Sequence, residues 1–118
     1  MRESDIIRLF LEMIEGSRQQ YKEADEAVKM HEKKETDFMH KLEFARDKQE
    51  RNKIATEFQR SRRARRSAKD AKQRVEKIVQ WSDANNLTLQ KMRGLLREQE
   101  KMENYLDGER HYTDRVKE

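Results

Sequence analysis

The chain has no cysteine, no proline and only three glycines in 118 residues. Without cysteine there is neither a disulfide framework nor a thiolate metal site, a composition that suits a reducing cytoplasm. Without proline, and with so little glycine, almost nothing in the interior forces a helix to stop. No apolar run approaches the roughly 20 residues of a membrane span. The opening stretch MRESDIIRLFLEMIEG is apolar but carries Arg8 and Glu12 within it, which the core of a signal peptide does not tolerate. Membrane contact and export are therefore not expected.

What is present is charge. Asp, Glu, Lys and Arg make up 44% of the residues, against 33% hydrophobic, and the mean hydropathy is −1.36. So polar a chain is a candidate for disorder. Disordered chains are usually rich in breakers, however, whereas Glu, Lys, Arg, Gln, Ala, Met and Leu dominate here, all good helix formers. Long helices with a narrow apolar seam are the better reading.

The seam is visible. Ile7, Phe10, Ile14, Ser17, Tyr21, Ala24, Val28, His31, Glu35, Phe38, Leu42 and Ala45 alternate at spacings of three and four, a heptad pattern weakened at His31 and Glu35. The spacing predicts a first helix over about 4–46, with Ser4 as its N-cap and a length of roughly 64 Å at 1.5 Å per residue. A compact domain of this size has a radius of gyration of about 13–14 Å. The molecule is thus elongated, or the first helix breaks, with Gly16 the weakest point. Asp47 and Glu50 have capping-box spacing and open a second helix over about 48–84, with Ile54, Phe58, Ser61, Ala64, Ala68, Ala71, Val75, Ile78 and Val79 as its seam. Asn85 or Asn86 caps a third helix over about 86–107, with Leu89, Met92, Leu96, Gln99, Met102 and Leu106 on one side and Gly108 past its end. Residues 109–118 show no period and read as an arm.

The expected fold is all-α, within a single helical domain covering 1–118. It is an elongated antiparallel helical hairpin (coiled coil) plus a shorter third helix and a C-terminal arm. Such a rod has more apolar stripe than it covers by itself, so a homodimer is expected.

Chemistry is scarce. His31 and Glu35 lie four apart and His40 and Glu43 three apart on helix faces, but a zinc site needs three or four converging ligands. His–Glu pairs at this spacing arise readily in a glutamate-rich chain, and His31 on the seam serves better as a polar residue that fixes register. There is no phosphate-binding glycine loop and no nucleophile motif, and a rod lacks the concave pocket a small substrate requires. No enzyme activity, cofactor or small-molecule substrate is expected.

The net charge of +4 comes from one place. Residues 60–74, RSRRARRSAKDAKQR, hold eight Arg or Lys against one Asp, while the segments on either side are slightly acidic. With Ala64, Ala68 and Ala71 taken as inward, Arg62, Arg66 and Lys69 point away, Arg65 and Lys72 flank one side, and Arg60, Arg63 and Arg74 lie toward the other. That is a cationic collar, without the interleaved aromatics that single-strand stacking needs. A hairpin folding back about residue 49 brings Arg63 near Glu35, Arg66 near Glu32, Lys72 near Glu26 and Val75 near Glu23. The collar then has two readings: internal neutralisation by acids of the first helix, or contact with a polyanion. Trp81 reads as a plug over a bundle end. The arm, RHYTDRV, combines residue types favoured at binding hot spots.

The segment IATEFQRSRRARRSAKD, followed by IVQWSDANN and the ending RHYTDRV, resembles small coiled-coil accessory proteins encoded by phages and prophages of Gram-positive bacteria. The similarity covers residues 54–115. Asp114 stands where that group has proline. The resemblance implies a non-virion protein of the bacterial host cytoplasm that acts by binding. The expected function is a non-enzymatic protein–protein interaction that modulates a host or phage factor stoichiometrically. The alternative is nucleic-acid binding through the Arg-rich second helix, in replication, recombination or transcription control. The candidate binding residues are Arg62, Arg63, Arg65, Arg66 and Lys69, with Arg110, Tyr112 and Arg115 in the arm.

Overall fold

A computed structural model describes residues 1–108 and contains three helices with no strand among them: α1 (Glu3–Glu43), α2 (Lys48–Ala84) and α3 (Asn86–Asp107). The molecule is a rod of 99 × 28 × 16 Å with a radius of gyration of 26.3 Å, about twice the compact value for this length. Helix α1 does not break at Gly16. It runs unbroken for 41 residues and ends three residues before the expected boundary, where the Phe44 amide closes on the His40 carbonyl.

The helix starts show which polar side chains serve the backbone. Asp47 caps α2, its carboxylate accepting the Glu50 amide at 2.7 Å, while the Glu50 carboxylate accepts the Arg46 amide at 3.2 Å. Ser4 does not cap α1. The cap is Arg2, whose amide donates to the Asp5 carboxylate at 2.9 Å, and Ser4 is buried two residues further in. Asn85 likewise leaves the start of α3 alone: its side-chain amide donates to the Trp81 carbonyl at 2.7 Å, closing the end of α2 instead. That bond and the break at Asn85 divide what would otherwise be a single returning helix.

Both α2 and α3 run antiparallel to α1, one after the other along it. Helix α2 takes the greater part, from the Phe38–Phe58 edge-on pair (5.6 Å between centroids) to Phe10–Trp81 (6.1 Å). Helix α3 lies across the first turns of α1, where Arg2 pairs with Asp107 and Arg8 with Glu100. The α1 face that meets them is the seam read from the sequence, with Ile14, Ser17, Ala24 and Val28 fully buried.

On α2 the inward face differs from the expected one. Ile54, Phe58, Ser61, Arg65, Ala68, Lys72, Val75, Val79 and Ser82 face α1 at strict spacings of four and three, and Ala64 is exposed. Keeping Ile54, Phe58, Val75 and Ser82 all inward on one straight heptad line requires positions 65 and 72 to lie on it as well. Both side chains run their aliphatic stems along the seam and put the charge at its edge. On α3, Leu89, Met92, Leu96 and Gln99 face inward as expected, but the next inward residue is Glu103, and Met102 and Leu106 are half exposed. The apolar core is small: Ile14, Ala24, Val28, Ile54, Val75 and Leu89. None of the helices is long and apolar enough to cross a membrane.

Candidate functional site

Turning α2 by one residue, about 100°, redistributes the cations. Arg65 donates to the Glu32 carboxylate at 3.0 Å, and Lys72 donates to Asp25 at 2.8 Å while its ammonium sits 5.3 Å from the centre of the Tyr21 ring. The expected register is right to within one residue, but the partners of individual groups are not. Glu32 goes to Arg65 in place of Arg66, and Lys72 takes Asp25 in place of Glu26. Hydrogen bonds from Lys72 and then Lys29 hold the Asp25 carboxyl below its ordinary range, and the Asp25 carboxylate raises Lys72.

The six other cations of the run, Arg60, Arg62, Arg63, Arg66, Lys69 and Arg74, form no ion pair among the described residues. Internal neutralisation therefore reaches two of eight. Arg63 and Arg66 in particular do not reach Glu35 or Glu32. The unpaired groups do not form a collar either: Arg62, Arg63, Arg66 and Lys69, together with Arg65, line one open groove along the flank of α2. The spacing accounts for this, since residues 62, 66 and 69 fall on one face at i, i+4 and i+7. Arg62 lies over the Phe58 ring at 5.7 Å, which orients its guanidinium without neutralising it. The Nε of Arg65 is buried and has no hydrogen-bond partner, so its charge is only partly satisfied by Glu32.

A second site was not anticipated. Phe10, Met13 and Ile14 of α1, with Lys77, Ile78 and Trp81 of α2, line an apolar groove near the three-helix end. Trp81 is 41% exposed in its wall, edge-on to Phe10, so it is not a plug over a bundle end. The signal in the sequence is a second stripe on α1, Ile6, Leu9, Met13 and Gly16, spaced three and four but out of phase with the seam. Beside it Ser4 and Glu103 are also new: the Glu103 carboxylate, 8% exposed, accepts the Ser4 hydroxyl, the Ser4 amide at 3.1 Å and the Gln99 side chain at 3.1 Å. The Ser4 hydroxyl above all holds this carboxyl below its ordinary range, against the opposing effect of burial.

The remaining sequence candidates do not converge. His31 spends its Nδ1 on the Ser61 hydroxyl at 2.9 Å, His40 is 3.9 Å from Glu43 on an exposed face, and no group of three possible metal ligands comes together among the described residues. Arg110, Tyr112 and Arg115 lie outside the described residues. Comparison of the chain with family models, with curated proteins and with solved structures gave no match.

Proposed function

We propose that this chain is a non-enzymatic nucleic-acid-binding module that grips a phosphate backbone along the flank of α2. The observation behind this reading is the groove formed by Arg62, Arg63, Arg66 and Lys69, four cations without an ion pair among the described residues and gathered on one face. Cations already paired with carboxylates would have to exchange one partner for another. Unpaired ones give up only water and counterions, and displacement of the counterions condensed on the nucleic acid drives binding. The groove has no aromatic on which bases could stack, so a duplex backbone suits it better than a single strand, and contact would be insensitive to sequence.

The test is a salt titration of binding to random duplex DNA. With four phosphates neutralised, log K against log salt has a slope of about −3.6. Arg66→Gln is expected to reduce the slope by about one and to leave helicity unchanged. Absent binding at low salt, or a flat salt dependence, would overturn the reading.

The apolar groove of Phe10, Ile14, Ile78 and Trp81 favours a second reading, stoichiometric contact with a protein, in line with the accessory role in the bacterial cytoplasm that the resemblance to phage proteins implies. Its tests are separate, because the groove carries only Lys77 as a charge and is insensitive to salt of moderate strength.

A further inference from the structure

We infer that the apolar groove is the docking face for a second copy of this chain, and that the protein works as a two-fold dimer joined near its three-helix end. The proposal names the partner for the protein-contact reading and is independent of the cationic groove.

The shape of the face is the first argument. Ile6, Leu9 and Met13 form a ridge on α1, all of them at least 42% exposed. Beside the ridge, on the same side of the helix, runs the groove floored by Ile14 and Ile78 and walled by Phe10 and Trp81, with Met13 shared between the two. A ridge next to a groove on a single face is self-complementary. A two-fold axis between two copies places each ridge in the other's groove, with the same contacts made twice.

Area is the second. The chain exposes 10028 Å², where a compact monomer of its 14.4 kDa mass exposes about 6,800 Å². The excess of roughly 3,200 Å² per chain is well above the roughly 800 Å² that each partner buries in a standard stable interface. The exposed large apolar residues also cluster. Of the thirteen among the described residues, only Met30, Met39 and Phe44 lie outside the end where three helices meet. A polyanion has nothing to bind in such a lining. A second apolar face of the same kind does.

Gly16 adds a third, independent point. It continues the exposed ridge one turn beyond Met13, and nothing lies within 4 Å of where its Cβ would be. A mid-helix glycine weakens the helix relative to alanine, and among the described residues no contact requires one here. The missing side chain leaves room for a helix of another copy to approach closely at that point. Eight residues of α2 lie between Lys69 and Ile78, so a dimer formed this way leaves both cationic grooves open and binds a duplex at two places.

Sedimentation equilibrium of the full chain tests the proposal. The wild type is expected at twice 14.4 kDa at micromolar concentration, with Trp81 emission shifting to the blue as the dimer forms. Leu9→Glu places an unpaired charge in the interface and is expected to weaken self-association by roughly a hundredfold. Leu9 is half exposed, so far-ultraviolet circular dichroism of that variant should match the wild type; if it does not, Gly16→Leu serves in its place. Arg66→Gln should dimerise like the wild type. A wild-type chain that stays monomeric at every concentration overturns the proposal, including the case in which it binds phosphatidylglycerol vesicles through this face. A folded Leu9→Glu or Gly16→Leu chain that dimerises as tightly as the wild type also overturns it. The salt slope for DNA is read on the same samples, so a monomer that still binds DNA separates failure here from failure of the nucleic-acid reading.

Discussion

Midway along the rod, α1 and α2 meet through His31 and Ser61, Glu32 and Arg65, Asp25 and Lys72, while at the opposite end α3 lays Leu89 against α1 and seals Glu103 over Ser4. The first region has length but buries only small side chains, Ala24, Val28 and Val75, and beyond Val28 no residue of α1 is fully buried. Its ion pairs are partly exposed, and such pairs contribute about 0–1 kcal/mol each, enough to choose a register but not to hold a helix. The second region has the most deeply buried leucine and the most deeply buried carboxylate of the described residues. The rod is therefore fastened at the three-helix end and at the Phe38–Phe58 pair, and is only aligned in between. Charge is free on α2 because the middle does not use it for stability.

The sharpest way to break that comparison is to remove the fastening. Leu89 is 1% exposed, and Leu89→Ala deletes its apolar atoms and leaves a cavity at the start of α3. We expect a loss of about 2–5 kcal/mol in thermal or urea unfolding, a large share of the total for a chain of this size. In the middle, Ala68→Gly changes little beyond about 1 kcal/mol of helix propensity. Equal losses for the two substitutions would mean that the middle is as tightly held as the end.

A smaller, pH-linked difference also separates the regions. Glu103 is held below its ordinary value of 4.5 by Ser4 and Gln99. A carboxyl whose folded value is depressed stabilises the fold above its unfolded value and loses that contribution as pH falls toward the folded one. Amide exchange along α3 is therefore expected to quicken as the solution is acidified from neutrality through the carboxylate range. Glu103→Gln should remove that component at α3 and leave the acid response of Asp25, near Lys72, in place. Exchange in α3 that responds to acid identically in the variant would show that Ser4 and Glu103 do not hold it.

Much of this was legible in the sequence, and the misreadings have a common cause. The helix ends at 47–48 and 84–86 are written in Asp47 and the asparagines, and the α1 seam in its three-and-four spacing. The register followed from the hairpin within one residue. What fails is the direction of α2, because a line through Ala64, Ala68 and Ala71 assumes that small residues face inward. The true line skips from Ser61 to Ala68 and from Ala68 to Val75, and the gaps are filled by Arg65 and Lys72. Reading only apolar letters passes over cations that lie along a seam on their stems. Glu103 was missed in the same way, since a carboxylate on an inward face is unexpected until a buried serine is found to meet it. The cationic groove then follows from the corrected direction alone.

The last substitution tests whether the middle aligns without fastening. Arg65 buries its Nε without a partner and pairs with a Glu32 that remains about half exposed. Arg65→Met keeps the length and the apolar stem, removes the unsatisfied nitrogen, and leaves Glu32 solvated. The desolvation cost of a partly buried ion is often larger than its attraction to one partner. The chain is thus expected to unfold within about 1 kcal/mol of the wild type, on the stabilised side. Register should suffer where stability does not. Spin labels at Glu35 and Arg63 would give a broader distance distribution in the variant, because the polar pair no longer penalises a slipped alignment. A clear loss of stability with an unchanged, narrow distribution would mean that Arg65 fastens the rod after all, and the contrast between its two regions would disappear.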